Sequence, residues 1–125
     1  MRLLLDTHAV LWFLAGDPRL SASVQHVISD AQNHVFVSAV SAWEVAVKLR
    51  IGKLELDFDR FLRELAVFDW LGVEHRHLRR LKDLPLHHRD PFDHLLIAQA
   101  LEEDLAFVTA DTRASAYGLR ILPCS

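Results

Sequence analysis

His88-Arg89-Asp90-Pro91-Phe92-Asp93-His94-Leu95-Leu96-Ile97-Ala98-Gln99-Ala100-Leu101 is the most informative stretch of this chain. Asp90 suits a helix N-cap, Pro91 the first helical position, and Asp93 the first turn, where the helix dipole favours an acid. The segment behind them is apolar nearly all round, through Phe92, Leu95, Leu96, Ile97, Ala98, Ala100 and Leu101, the pattern of a buried helix. By i+3, i+4 and i+7 spacing, Asp93 stands above Leu96, Ile97 and Ala100. A carboxylate is thereby set at the mouth of a buried helix, where an unpaired charge is expensive. Capping alone explains two acids at this spacing, so the question is whether other carboxylates reach the same place.

Upstream, Leu3-Leu4-Leu5 and Val35-Phe36-Val37 are short continuous apolar runs, as expected for strands covered on both faces. A helical pattern over residues 7–14 ends at Gly16-Asp17-Pro18, and Ser21 can cap a second helix carrying Val24, Val27, Ile28 and Ala31. A further helix is expected from about Val40 to Ile51, stopped by Gly52. Asp57 or Asp59 caps another, with Phe58, Phe61, Leu62, Leu65 and Phe68 facing inward. Gly72-Val73-Glu74 is a third candidate strand, and residues 76–82 a short basic helix. Downstream of the central helix, residues 106–109 form a buried strand, and residues 119–122 a last short one before Pro123.

Alternating strands and helices imply an α/β fold with a mostly parallel sheet of about four to five strands, layered α/β/α. Crossovers are right-handed, and sites in such sheets lie beyond the carboxyl ends of the strands. Asp6 directly follows the first strand, Glu44 lies on the helix after the second, Asp111 comes two residues after Thr109 in the late strand, and Asp93 heads the buried helix. Singly, each has an ordinary explanation: Asp6 and Asp111 as caps, Glu44 as a surface partner of Lys48 at i,i+4. Jointly they converge on one edge of the sheet.

Clustered carboxylates repel unless a cation joins them. Hard oxygen ligands favour magnesium, with manganese as a second choice. A metal so held can activate water and orient a phosphodiester, which makes phosphodiester hydrolysis the natural chemistry of the set. Nearby basic residues, Arg80, Arg89, Arg113 and Lys48, are candidates for holding a nucleic-acid backbone; the helix bearing Arg76, Arg79, Arg80 and Lys82 reads equally as a solvated face. Of the 8 histidines, most are expected at the surface or in loops, while His88 and His94 flank the acid pair and could touch a substrate phosphate. No zinc-hydrolase histidine pattern, nucleophile elbow or glycine-rich phosphate loop is present.

The whole chain bounds these readings. With 125 residues it is expected to be one domain, residues 1–125, able to build a core without disulfides; it has a single cysteine, Cys124. The formal net charge of -3 does not advertise a nucleic-acid binder, although metal would cancel clustered acids locally. The early Asp6 argues against a signal peptide, and the longest apolar run is too short to span a bilayer. A cytoplasmic protein with no membrane association is expected.

Leu-Leu-Leu-Asp6-Thr-His, Ser41-Ala-Trp-Glu44-Val-Ala-Val-Lys48, Asp90-Pro-Phe-Asp93-His-Leu-Leu-Ile-Ala-Gln-Ala and Val-Thr109-Ala-Asp111 together resemble the PIN domain, in an order and spacing similar to the VapC-like toxins of toxin–antitoxin pairs. The resemblance covers essentially the entire chain. It implies that Asp6, Glu44, Asp93 and Asp111 are catalytic, metal-binding acids, with Asp90 a further acid of less defined role. It implies supporting hydroxyls at Thr7 and Thr109, and Ser41 falls in the same motif. It further implies a magnesium-dependent endoribonuclease, a homodimer, and a cognate antitoxin whose C-terminal segment blocks the site; Trp12, Phe13, Trp43, Phe58, Phe61 and Trp70 would offer docking surface where they are not core. RNA as the substrate rests on the resemblance alone. A catalytically silent PIN-fold binding module and a DNA-directed nuclease stand as alternatives. A phosphoacceptor receiver domain fits poorly, since only Asp6 is early and no lysine follows Lys82.

Overall fold

The computed structural model describes residues 1–125. Five strands, β1 (Arg2–Leu5), β2 (His34–Ser38), β3 (Asp69–Leu71), β4 (Ala106–Thr109) and β5 (Ile121–Pro123), form one sheet in the order β3-β2-β1-β4-β5. Every pairing is parallel. The helices are α1 (Thr7–Ala15), α2 (Ala22–Ser29), α3 (Ala39–Arg50), α4 (Phe58–Glu64), α5 (His75–Lys82) and α6 (Pro91–Glu103), with 3-10 turns over Leu65–Val67 and Thr112–Tyr117.

Strand alternation splits the core into two layers. Leu3, Leu5, Val35, Val37 and Val108 point to one face, where they meet Ala9 and Val10 of α1, Val24 and Ile28 of α2, Val45 of α3 and Phe61 of α4. Leu4, Leu71 and Phe107 point to the other, against Leu95, Leu96, Ile97 and Ala100 of α6. Burial from His94 to Ala100 is unbroken, so α6 is the enclosed helix its composition implies. Gln99 is fully buried within it and fully used. Its Oε1 accepts from the Ser38 hydroxyl at 2.5 Å, and its Nε2 donates to the Gly72 carbonyl at 3.2 Å. One side chain thus ties α6 to the ends of two strands.

Three sequence expectations are corrected. The third strand is Asp69–Leu71 and not Gly72-Val73-Glu74: Leu71 fills the α6 face, the Gly72 carbonyl serves Gln99, and Glu74 caps α5. The last strand begins at Ile121 and reaches Pro123, which an edge position tolerates because it lacks only an outward N–H. Leu62 is exposed, since it lies a quarter-turn from the inward pair Phe61 and Leu65. Elsewhere the boundaries agree within a residue or two, and α3 does end before Gly52, whose φ of 74° suits glycine.

Strand order reverses at β1: the chain goes from β1 to β2 on one side and returns to β4 on the other. The crevice at such a reversal lies over the carboxyl ends of β1 and β4. Leu96→Ala, which empties a fully buried position, is expected to lower unfolding free energy in urea by about 2–5 kcal/mol. Leu86→Ala, on a largely exposed loop residue, is expected to change it by less than about 0.5 kcal/mol.

Candidate active site

Two of the acids, Asp6 and Asp111, reach that crevice by one device, a strand end that becomes a helix cap. Asp6 leaves β1 with its N–H bonded to the Val108 carbonyl at 3.0 Å, and its carboxylate accepts from the Ala9 N–H at 2.7 Å as the N-cap of α1. Asp111 leaves β4 with its N–H bonded to Thr109 Oγ1 at 3.0 Å, and caps the following 3-10 turn through the Arg113 N–H. Asp90 caps α6, accepting from the Phe92 and Asp93 N–H groups at 3.0 and 3.2 Å. Glu44 arrives from the side, on α3, and is buried.

Small hydroxyls and two cations hold this set. Thr7 Oγ1 donates to Glu44 Oε1 at 2.7 Å and lies 3.0 Å from Ser41 Oγ. Lys48 Nζ pairs with Glu44 Oε2 at 2.7 Å, so the i,i+4 pairing and the burial of Glu44 coexist. Arg113 grips Asp111 with both Nε and Nη2, the latter at 2.7 Å. Asp93 has no hydrogen-bond or ion-pair partner for its carboxylate.

The electrostatics show that these groups share one place. Burial pushes the Asp93 carboxyl up to about 7, and Asp90, Asp6, Glu44 and Asp111 each add repulsion. Asp6 is also raised, first by burial and last by Glu44, while the Thr109 hydroxyl and the Ala9 N–H oppose the rise. Asp111 is lowered, chiefly by its bond to Arg113. Cys124 is fully buried, and burial with the nearby Asp6 charge holds its thiol up at about 12, which removes it as a nucleophile.

The remaining sequence candidates divide. Arg89 is exposed beside Asp90. Arg80 pairs with Glu102 at 3.2 Å, nine residues along α6 from Asp93 and so about 13 Å down the helix. Arg76 pairs with Glu103 at 2.5 Å, so the basic face of α5 largely clamps the far end of α6. Five of the histidines are exposed, as expected, but His77, His88 and His94 are buried. His77 closes a capping box with Glu74. His88 stacks on His94 with ring centroids 4.7 Å apart, under the edge of Tyr117. An imidazole nitrogen of His88 and carboxylate oxygens of Asp93 and Asp111 lie within 4.8 Å of one another. The sequence offers His88 and His94 only as residues flanking the acid pair and able to touch a substrate phosphate; the place of His88 two residues before the cap of α6 is the signal for its burial beside the acids.

The donor set fits a hard divalent cation: the Asp93 carboxyl has no partner and feels Asp90, Asp6, Glu44 and Asp111, and Lys48 and Arg113 neutralise only two of those four.

The model of the PIN domain matches residues 3–119. No curated protein matches the chain by sequence. Among solved structures, the chain is similar to VapBC2 from Rickettsia felis bound to a promoter DNA fragment, with TM-score 0.75, 12% identity and 100% of both chains covered. It is also similar to a toxin-antitoxin complex from Klebsiella pneumoniae, with TM-score 0.68, 20% identity and 96% and 95% covered. FitAcB from Neisseria gonorrhoeae gives TM-score 0.68, 20% identity and 98% and 96% covered. No helix is long and apolar enough to cross a membrane.

The raised acids Asp93 and Asp6 are expected to contribute a loss of stability as pH rises. A carboxyl whose folded-state value exceeds its unfolded value favours folding when protonated, and that contribution is lost as pH rises from about 4 through about 7. With chelator present, the urea midpoint is expected to drop over this window, and to drop less in Asp93→Asn. Magnesium is expected to raise the wild-type midpoint at pH 7.5 more than that of the variant.

Proposed function

The chain belongs to the PIN domain family, and from that premise we propose that residues 1–125 are a single-domain, magnesium-dependent endoribonuclease, the toxin of a toxin–antitoxin pair. The observation that carries the reading is the Asp93 carboxyl, which has no partner and lies with Asp111, at the end of β4, and His88 within 4.8 Å donor to donor; burial and the acids Asp90, Asp6, Glu44 and Asp111 raise it. PIN domains are generally nucleases, and gathered carboxylates are what a metal-dependent nuclease uses to hold its ion.

Asp6, Glu44, Asp93 and Asp111 would hold magnesium, with Asp90 as a further ligand and manganese as an alternative ion. When bound, the ion supplies an acidified water and neutralises charge on a phosphodiester. The chain's own residues do the rest. Thr7 orients Glu44, and Ser41 backs Thr7. Thr109 steadies both Asp6 and the turn into Asp111. Lys48, Arg113 and the exposed Arg89 are the cations within reach of a phosphate backbone, the first two by leaving their acids. Arg80 is better accounted for by its pair with Glu102. Hydrolysis in this frame leaves a 5'-phosphate and a 3'-hydroxyl.

The proposed partners are an RNA substrate, a second copy of the chain and an antitoxin. Solved structures of the same fold include a toxin–antitoxin complex. Trp43 supports a covering partner: it is half-exposed, one residue before Glu44, and meets Phe92 edge-on at 4.7 Å. A segment laid on Trp43 would shade the cluster. Trp70 is also half-exposed, whereas Phe61 is core. A cytoplasmic location is proposed with these partners.

Cleavage of end-labelled RNA by the purified chain is expected with magnesium and not with chelator. Asp6→Asn is expected to abolish it, and Thr7→Val to slow it by about 10- to 100-fold. Equal cleavage by wild type and Asp6→Asn would overturn the site. Magnesium binding without cleavage of RNA would favour a binding module, or, if DNA is cut, a DNA-directed nuclease.

A further inference from the structure

The four-acid reading leaves His88 without a task, although its placement is costly. The residue is 6% exposed. Its Nδ1 accepts from the Asp90 N–H at 3.4 Å, and its Nε2, like those of His77 and His94, is buried with no partner, but of the three only His88 has a ring nitrogen within 4.8 Å of the acids Asp93 and Asp111. A buried polar atom left unpaired loses its hydration with no hydrogen bond to offset it. The ring is held firmly: it stacks on His94 at an interplanar angle of 8° and packs against the Tyr117 ring. Tyr117 is itself fixed, its hydroxyl accepting from the His87 N–H at 3.1 Å. A buried, immobilised imidazole therefore stands beside the one acid of the cluster that has no partner.

We propose that His88, Asp93 and Asp111 form a mixed nitrogen–oxygen site for manganese(II), at the rim of the four-acid cluster and sharing two of its acids. Atoms bonded to one ion at about 2.1 Å lie roughly 3–4 Å apart. The three donors here lie within 4.8 Å, so closure by about an ångström, within the reach of carboxylate rotamers, would bring them to bonding distance. Asp111 must release one oxygen from Arg113, which is feasible because that side chain is largely exposed, and His88 must give up the long 3.4 Å contact with the Asp90 N–H, either to bind through Nδ1 or to take its ring proton there and bind through Nε2. Imidazole is a borderline donor that suits transition metals, whereas magnesium prefers oxygen and water. Manganese(II) accepts both, so a site with one imidazole and two carboxylates discriminates between the two ions where four carboxylates would not. His94 takes no part as a ligand; it positions His88 by stacking.

The inference deepens the proposed metal site and rests on that reading for Asp93 and Asp111, but its test reads coordination and not cleavage. Pulsed EPR of manganese(II) bound to the full chain is expected to show modulation from a directly bonded imidazole nitrogen. His88→Gln is expected to remove that modulation and to weaken manganese binding by at least about tenfold, while changing magnesium affinity less than about twofold. Circular dichroism establishes that the variant is folded, and the wild-type spectrum is a readout needing no variant. Manganese bound without nitrogen modulation, modulation that survives His88→Gln, or equal loss of both ions would each overturn the inference. Such a result alongside metal-dependent RNA cleavage leaves the nuclease reading intact; nitrogen coordination without any cleavage sinks the nuclease reading and keeps the site.

Discussion

Like charge held in a small, partly dry volume is the constraint on which this molecule turns. Asp93 meets burial and four other carboxylates at once, and its carboxyl rises to about 7. Folding places this repulsion there because the two core layers leave no alternative. α6 must bury its apolar surface against Leu4 and Phe107, and doing so swings its acidic first turn over the ends of β1 and β4. The apolar core thus supplies the energy that brings the acids together, and a cation would supply what the acids then require.

The structure softens the repulsion without removing it. Asp6, Asp90 and Asp111 each accept backbone N–H groups as caps, which favours the ionised form and steadies the helix or turn behind. Lys48 and Arg113 neutralise Glu44 and Asp111. Capping and site membership are therefore not competing explanations of these acids. A cap fixes a carboxylate's direction at little entropic cost, and a carboxylate with a fixed direction is what a metal site needs.

Much of this was legible in the chain. Continuous apolar runs identify β1, β2 and β4, and the all-round apolar pattern of residues 92–101 identifies the buried helix, because an element covered on every side keeps no polar face. The acid order identified the crevice once parallel topology was assumed. What escaped lay where local composition is ambiguous. Gly72-Val73-Glu74 and Asp69-Trp70-Leu71 carry similar strand signals, and the choice fell to Leu71's contact with α6 and to the Gly72 carbonyl's bond with Gln99. The basic run over residues 76–82 read equally as a nucleic-acid contact or a solvated face, and its pairing with Glu102 and Glu103 could not be seen from spacing alone.

Which carboxylates meet, and which helix is enclosed, follow from the order of residues along the chain, because period and strand-end position are local properties that packing must respect. Which histidines are buried does not. His77, His88 and His94 stand among five exposed histidines of the same chemistry, and their burial depends on Glu74, Tyr117 and the loop between α5 and α6, brought together only when the sheet closes. Lys48–Glu44 and Arg113–Asp111 are pairs of sequence neighbours, four and two residues apart, but the isolation of Asp93 and the unpartnered nitrogen of His88 belong to that same class. Each is a statement about distances across the fold, and such distances are set by the packing of two layers on one sheet, not by neighbours in sequence.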